Sequence, residues 1–100
     1  MKEISVKVIL DKGTKTVKGT IYECKELNRK VAVHADVISK NKTTLTDLAT
    51  GYKFLTLNTP VDKVKEQEIK ENLEKFLKHY GIKETLERLE YLAQAGKEVV

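Results

Sequence analysis

Apolar and polar residues alternate over the first ten positions of the chain. The apolar members occupy every second position: Ile4, Val6, Val8 and Leu10. This period is typical of a strand with one buried face. A polar turn with a glycine at residues 11–14 follows and leads into a second strand at residues 15–24. Gly19 lies in the middle of that second strand and predicts a β-bulge there. The two strands are therefore expected to form an antiparallel hairpin.

The next part of the chain repeats the same kind of pattern. Three further strands are predicted at residues 30–39, 43–49 and 52–57, separated by polar turns at residues 26–29, 40–42 and 50–51. The segment at residues 43–50 contains four threonines, and these β-branched residues suit a half-exposed strand. Five short strands at a spacing of about ten residues predict a meander, either an open twisted sheet or a small barrel.

The hydrophobic period changes at Asn58. Thr59 suits an N-cap, Pro60 the first helical position, and Asp62 the acidic partner of a capping box. The apolar residues that follow recur at helical spacing: Val64, Ile69, Leu73, Phe76, Leu77 and Tyr80. Gly81 is expected to end this helix. A second amphipathic helix is predicted at residues 83–95, ended by Gly96.

The tight connection at Gly81 makes the two helices an αα-hairpin, and their apolar stripes can cover one face of the sheet. The predicted fold is α+β, a five-stranded antiparallel meander followed by two C-terminal helices packed on it. One hundred residues without a linker rich in Pro, Gly or Ser indicate a single domain over residues 1–100. Within it, residues 1–58 form the β-meander and residues 59–96 the helical hairpin.

Composition narrows the class of protein. A chain that is 40% hydrophobic and 34% charged is typical of a soluble globular protein. No apolar run approaches the roughly 20 residues needed to cross a bilayer, and the N-terminus lacks the pattern of a secretory signal. Cys24 is the only cysteine, which fits a reducing compartment. We therefore expect a cytoplasmic protein without a membrane partner.

Positive charge is concentrated in the first part of the chain. Residues 1–60 carry 11 Lys/Arg against 6 Asp/Glu, whereas residues 61–100 carry 8 against 9. Since 17 of the 19 cations are lysines, a solvated surface is the favoured interpretation. The alternative is a sheet face that binds nucleic acid, with Tyr22 as a stacking platform. Its candidate cations are Lys15, Lys18, Lys25, Arg29 and Lys30.

The pattern of reactive residues predicts no catalysis. Cys24 and His34 lie on neighbouring strands, but no third residue is evident to orient them. The acids Asp36 and Asp47 are more simply explained as solvated or ion-paired. The glycines are isolated and form no phosphate-binding motif, and the spacing of His and Cys does not suit a metal. We expect no catalytic residue, no cofactor and no metal ligand.

Two short motifs resemble a known group of proteins. The segment VAVH at residues 31–34 and the segment LTDLATGYKF at residues 45–54 resemble a pattern in small uncharacterised proteins of phages and other mobile elements of Gram-positive bacteria. In that group, a strand ending near a His is followed by a Thr-His-x-x-Thr-Gly strand and turn and by a C-terminal helix. This chain has Asp47 in place of the second His, and its helical tail is longer.

The resemblance implies a protein that acts on macromolecules of a bacterial host. Small proteins in that setting include inhibitors of restriction or CRISPR nucleases. The first hypothesis is accordingly a non-enzymatic binding protein that makes stoichiometric contact with a host protein. Its candidate contact residues cluster around one predicted strand and turn: His34, Asp47, Tyr52 and Lys53. Nucleic-acid binding by the basic sheet is the alternative, and an exposed edge strand or an apolar helix face would indicate a homodimer.

Overall fold

Five antiparallel strands, each paired with its neighbours in sequence, precede two helices. The computed structural model describes residues 3–10 and 13–98, with side chains as far as residue 94. The elements are β1 (Ile4–Leu10), β2 (Gly13–Cys24), β3 (Arg29–Ala35), β4 (Thr43–Asp47), β5 (Lys53–Leu57), α1 (Glu66–Tyr80) and α2 (Ile82–Glu98). The strand order is β1-β2-β3-β4-β5. The predicted α+β fold is confirmed, with an open sheet. Two residues of the first predicted turn, Asp11 and Lys12, lie outside the described part.

Both faces of the central strand β3 are buried. Val31 and Val33 point to one side and Ala32 and His34 to the other, as strand alternation requires. We call the side of Val31 and Val33 the helix-bearing face, because α1 packs on it. The opposite side, which contains Ala32 and His34, is called the bare face.

Helix α1 supplies the main core contacts of the helix-bearing face. Ile69, Leu73 and Leu77 recur every fourth residue and are all buried, so they form one stripe along the helix. The sheet side of this core consists of Cys24, Leu27, Val31, Val33, Leu45 and Leu57. Full burial of a side chain such as Leu73 stabilises the fold by about 1.5–3 kcal/mol. A second, smaller cluster of Val6, Val8 and Ala32 lies on the bare face.

The predicted bulge at Gly19 is wrong. Gly19 pairs in unbroken register with Ile4 on one side and His34 on the other. A Cβ atom on Gly19 would lie 2.6 Å from the carbonyl oxygen of Val33, so glycine is required by the close approach of β3. The irregularity lies instead between β4 and β5, where the register shifts between Leu45 and Thr46. That shift lets the consecutive residues Phe54 and Leu55 both contact the helix-side core.

The predicted start of the first helix is also wrong. Residues 60–64 form one isolated turn in which the amides of Lys63 and Val64 both donate to the carbonyl of Pro60, and α1 begins at Glu66. The hydroxyl of Thr59 does not cap this turn but donates to Glu68 in the first turn of α1, at 2.7 Å. The Thr59 carbonyl accepts from the Thr43 hydroxyl. The hydroxyl and carbonyl of Thr59, which the capping pattern assigned to the helix start, therefore form tertiary hydrogen bonds instead.

The end of α1 matches the expectation, whereas the end of α2 does not. Gly81 follows α1 with a φ of 90°, and its amide donates to the carbonyl of Leu77. Only glycine adopts such a backbone without strain. Helix α2 begins at the next residue and continues through Gly96 to Glu98, so Gly96 does not terminate it. No helix in the described part of the chain combines the length and apolar character needed to cross a membrane.

Candidate functional site

The structure separates the four residues predicted to contact a partner. His34 and Asp47 are both 0% exposed, and they lie on opposite faces of the sheet because Val31 pairs with Asp47 and Thr44 pairs with His34. Tyr52 is half-buried and Lys53 is exposed. Tyr52 and Lys53 are therefore accessible to a partner, whereas His34 and Asp47 have structural roles.

Asp47 is held by a dense set of hydrogen bonds at the end of β4. Arg29 donates from Nε to Oδ1 at 2.8 Å and from Nη2 to Oδ2 at 2.7 Å, which is the bidentate geometry of a strong ion pair. Thr50 adds its amide at 3.1 Å and its hydroxyl at 2.7 Å, both to Oδ2. The hydrogen bond with Asp47 is the main cause that raises the pKa of Arg29, and burial opposes it.

The ion pair fixes the turn that joins β4 to β5. The amide of Gly51 donates to the carbonyl of Asp47 at 2.8 Å, and the carbonyl of Gly51 accepts from the amide of Ile9 in β1 at 2.9 Å. Gly51 has a φ of 81°, and a Cβ there would lie 2.7 Å from the carbonyl oxygen of Lys7. The turn after β4 is thus hydrogen-bonded to the first strand, β1. Because the chain turns back at Asp47 through the bond from the Gly51 amide, β4 ends at Asp47 and not at residue 49.

One local signal in the sequence could have identified this role of Asp47. An aspartate that precedes Thr-Gly by three residues is suited to a turn in which its carboxylate binds the backbone ahead. The partner Arg29, however, is 18 positions away. Its identification requires the register between β3 and β4.

His34 is fully enclosed on the bare face. Nδ1 lies 2.8 Å from the carbonyl oxygen of Ala35, and Nε2 lies 2.7 Å from the hydroxyl of Thr46. Since a carbonyl only accepts, Nδ1 carries a proton, and in the neutral ring Nε2 accepts from Thr46. Burial is the main cause that lowers the pKa of His34. The ring is a satisfied core residue that links β3 to β4.

Asp36 organises the loop between β3 and β4. Its Oδ2 accepts from the amides of Ile38 at 3.3 Å and Ser39 at 3.0 Å, and its Oδ1 accepts from the hydroxyl of Thr44 at 2.8 Å. These hydrogen bonds lower the pKa of Asp36, and the bond from the Ser39 amide has the largest effect. The positive charge of Lys53 lowers the pKa further by a smaller amount. The third strand therefore ends at Ala35, four residues before its predicted end, and the loop begins at Asp36.

The groups considered for catalysis do not come together. Cys24 lies on the helix-bearing face, whereas His34 lies on the bare face. Burial is the first cause that raises the pKa of Cys24, and its thiol lies 3.5 Å from Glu26. Asp36 and Asp47 are likewise held by separate sets of hydrogen bonds.

The candidate nucleic-acid residues are divided between the two faces. Lys15 lines a cavity on the bare face, and Lys30 shares that face by strand alternation. Lys18, Tyr22 and Arg29 lie on the helix-bearing side, and Lys25 lies in the turn between β2 and β3. Burial is the first cause that raises the pKa of Tyr22, followed by nearby carboxylates that include Glu26, Glu66 and Glu74.

A cleft between β5 and the helices gathers aromatic side chains. It has a volume of about 480 Å³. Its lining includes four aromatic rings and two cations, namely Tyr52, Phe54, Phe76, Tyr80, Lys53 and Arg88. We call it the aromatic cleft. The ring centroids of Phe54 and Phe76 lie 5.8 Å apart in an edge-to-face arrangement, and those of Phe76 and Tyr80 lie 4.7 Å apart with the ring planes tilted by 46°. The sequence identified Tyr52 and Lys53 but not the helix residues of the cleft. Phe76 and Tyr80 were assigned to the apolar stripe of the first helix, and Arg88 was assigned to the solvent-facing side of the second.

Within the described side chains, no group of three or more His, Cys, Asp or Glu is arranged to hold a metal ion. Comparisons of the chain with protein-family models, curated proteins and solved structures find no match.

Proposed function

We propose that this protein is a non-enzymatic binding module that makes stoichiometric contact with a partner protein through the aromatic cleft. The observation that carries the proposal is the exposure of aromatic surface at a concave site. Tyr80 is 58% exposed and lines the cleft together with Tyr52. Tyr, Phe and Arg are enriched in protein interfaces, and Tyr and Arg are also enriched among the residues that contribute most of the binding energy.

The charges of the cleft indicate what kind of segment it accepts. Lys53 and Arg88 line it, and neither makes an ion pair among the described residues. Glu84 is the one acid among the lining residues. An acidic partner segment with an apolar side chain would pair with the cations while the side chain covers the rings.

The titratable groups with altered pKa support a binding role over an enzymatic one. Asp36, His34 and Arg29 each form their hydrogen bonds with strands and turns of the sheet. Groups held in this way stabilise the frame that presents Tyr52 and Lys53. The resemblance of residues 31–34 and 45–54 to mobile-element proteins is the reason for expecting a host protein, such as a defence nuclease, as the partner.

Nucleic-acid binding is the second candidate. Lys15, Lys30 and Lys53 favour it, because all three lie toward the bare face or its rim. It ranks lower since Tyr22, the expected stacking platform, contacts the helix-side core and lies near carboxylates. Phosphates would be repelled there.

The proposal is tested by affinity capture from a lysate of a Gram-positive bacterium with the immobilised full chain. Tyr80→Ala and Arg88→Glu remove one ring and reverse one charge of the cleft. Matched controls are Tyr91→Ala, which changes a tyrosine that is 71% exposed and outside the cleft, and Lys83→Glu on the same helix as Arg88.

We expect a protein that is retained by the wild type and by both controls and is lost with both cleft variants. Native mass spectrometry of the purified pair should then give a fixed ratio of the two chains. Equal retention by all five proteins, or none by the wild type, contradicts the proposal. Fluorescence anisotropy with DNA and RNA at two salt concentrations tests the second candidate, which requires affinity that falls steeply with salt.

A further inference from the structure

The bare face of the sheet contains a second cavity, away from the aromatic rings. Its volume is about 540 Å³, within the range of small-ligand sites. Half of its lining is aliphatic and comes from β1 and the loop after β3, namely Val8, Ile9, Leu10, Val37 and Ile38. We call it the aliphatic cavity.

Two of these aliphatic side chains are exposed to solvent at the cavity. Ile38 is 92% exposed and Leu10 is 37% exposed, whereas Val8 is buried. One exposed aliphatic side chain is ordinary, but two that line the same cavity form an apolar patch. A ligand that covers Ile38 and Leu10 would recover the free energy of burying them.

The polar groups that line the cavity are already satisfied. His34 bonds Ala35 and Thr46, and the Thr44 hydroxyl donates to Asp36. No buried side-chain nitrogen or oxygen among the described residues lacks a hydrogen-bond partner. These groups therefore call for no polar ligand atom deep in the cavity, and they leave the aliphatic surface as the main contact.

Charge at the cavity comes from two lysines. Lys15 and Lys53 both line it, and neither makes an ion pair among the described residues. Lys53 is near enough to Asp36 to act on its pKa electrostatically. The carboxylate oxygens of Asp36, however, accept hydrogen bonds from Ser39, Ile38 and Thr44. Both ammonium groups thus remain available to an anion.

From these features we infer that the aliphatic cavity binds a single-chain fatty acid. The hydrocarbon chain packs on Val8, Leu10 and Ile38, and the carboxylate is held by Lys15 and Lys53. This site lies on the other face of the sheet from α1. Lys53 lines the aromatic cleft as well, but Lys15 and the aliphatic side chains line only this cavity, so fatty-acid binding does not require the proposed protein partner.

The test is a titration of the isotope-labelled full chain with octanoate, decanoate and dodecanoate below their micellar concentrations. Amide NMR shifts locate the ligand, and calorimetry gives its affinity. We expect shifts at Val8, Ile38 and Thr44, and an affinity that rises about fourfold for each added methylene group. Dodecyltrimethylammonium, which has the same chain and the opposite charge, should bind at least about threefold more weakly than dodecanoate.

Two variants and two matched controls assign the contacts. Ile38→Ser should weaken dodecanoate about tenfold, and Lys15→Gln about threefold. Val61→Ser changes an exposed aliphatic residue away from the cavity, and Lys18→Gln changes a lysine of the same strand on the other side. Neither control should alter the affinity.

Several results would overturn the inference. They are the absence of shifts with all three acids, equal affinity for the cationic amphiphile, equal affinity across chain lengths, or shifts confined to Tyr52, Tyr80 and Arg88. A loss of affinity in the controls equal to that in Ile38→Ser and Lys15→Gln would do the same. The amide spectrum of each variant without ligand shows whether it keeps the wild-type fold, and Leu10→Ser replaces Ile38→Ser if that variant does not.

Discussion

Replacement of Asp47 by asparagine tests how the sheet is held together. The substitution keeps the shape of the side chain and removes its charge. In the wild type, Oδ2 accepts from Arg29 Nη2 and from the amide and hydroxyl of Thr50. In the variant, Oδ1 can still accept from Arg29 Nε, but an amide NH₂ group, which only donates, takes the place of Oδ2. Donors then face donors at the end of β4.

The size of the effect follows from burial. The side chain of Asp47 is 1% exposed and that of Arg29 is 23% exposed, so the guanidinium keeps some contact with water. Breaking a buried ion pair costs about 3–5 kcal/mol, and the partial hydration of Arg29 favours the lower end. An unsatisfied amide at Thr50 contributes within that range. We expect Asp47→Asn to lower the free energy of unfolding by about 3 kcal/mol.

Urea unfolding followed by far-ultraviolet circular dichroism measures this quantity, since the chain has no tryptophan. With a slope of about 1.5 kcal/mol per molar urea, the midpoint should fall by about 2 M. Asp62→Asn makes the same chemical change at an exposed aspartate and should shift the midpoint little.

A double-mutant cycle completes the test. Arg29→Met leaves the Asp47 carboxylate buried without its cation, and the combined variant Arg29→Met/Asp47→Asn removes both charges. The combined loss should be smaller than the sum of the two single losses, because each single change leaves the other group unpaired. If Asp47→Asn costs no more than Asp62→Asn, the ion pair does not hold the turn.

Three further predictions concern the frame of the sheet. Because burial lowers the pKa of His34 from 6.5, the unfolded chain binds more protons below that pH; the melting temperature should fall as pH drops from about 7.5 to 5.5, and His34→Gln should flatten this dependence. His79 is present in both the wild type and His34→Gln, so it does not account for a difference between their pH dependences. Gly19→Ala should lower the free energy of unfolding by about 1–3 kcal/mol, because its Cβ would meet Val33, and an unchanged urea midpoint would contradict this. Thr59→Ala should cost about 1 kcal/mol through loss of the bond to Glu68, whereas a helical content reduced by a full turn in circular dichroism would support the capping role that the structure does not assign to it.

The alternating segments explain why the strands could be predicted from sequence. Val31 and Val33 point to the helix-bearing face and Ala32 and His34 to the bare face, and this alternation is a local property of the chain. The fold class followed from five such segments and two helical stripes. Local periodicity was sufficient because neighbouring strands pair in sequence order.

The errors occur where tertiary contacts compete for the same local groups. The pattern Thr59-Pro60-Val61-Asp62 predicts the start of the first helix, but it forms only an isolated turn. The Thr59 hydroxyl donates to Glu68, and the helix begins six residues after Pro60. Gly19 suggested a bulge, because a glycine in a strand has the same local signature whether the strand is distorted or closely approached. In both cases the deciding atoms belong to distant residues.

The aromatic cleft could not have been predicted for the same reason. Phe76 and Tyr80 continue the apolar stripe of α1, and the sequence alone does not show that Tyr80 extends beyond the core. Tyr52 was identified because it lies at the predicted strand and turn around which the candidate contact residues cluster. Its neighbours in the cleft are brought to it by the packing of α1 and by the turn at Gly81.

The hydrogen bond from Ile9 to Gly51 has a consequence for the order of events during synthesis. The strand pairs from β1 to β3 involve neighbouring segments, so they can form as soon as those segments leave the ribosome. The amide of Ile9 acquires its acceptor only after Gly51 has been made. Until then, part of the outer edge of β1 remains open to other strands. A pause in synthesis after β1 to β3 have left the ribosome and before Gly51 has done so would therefore prolong the period in which two nascent chains can pair through this edge.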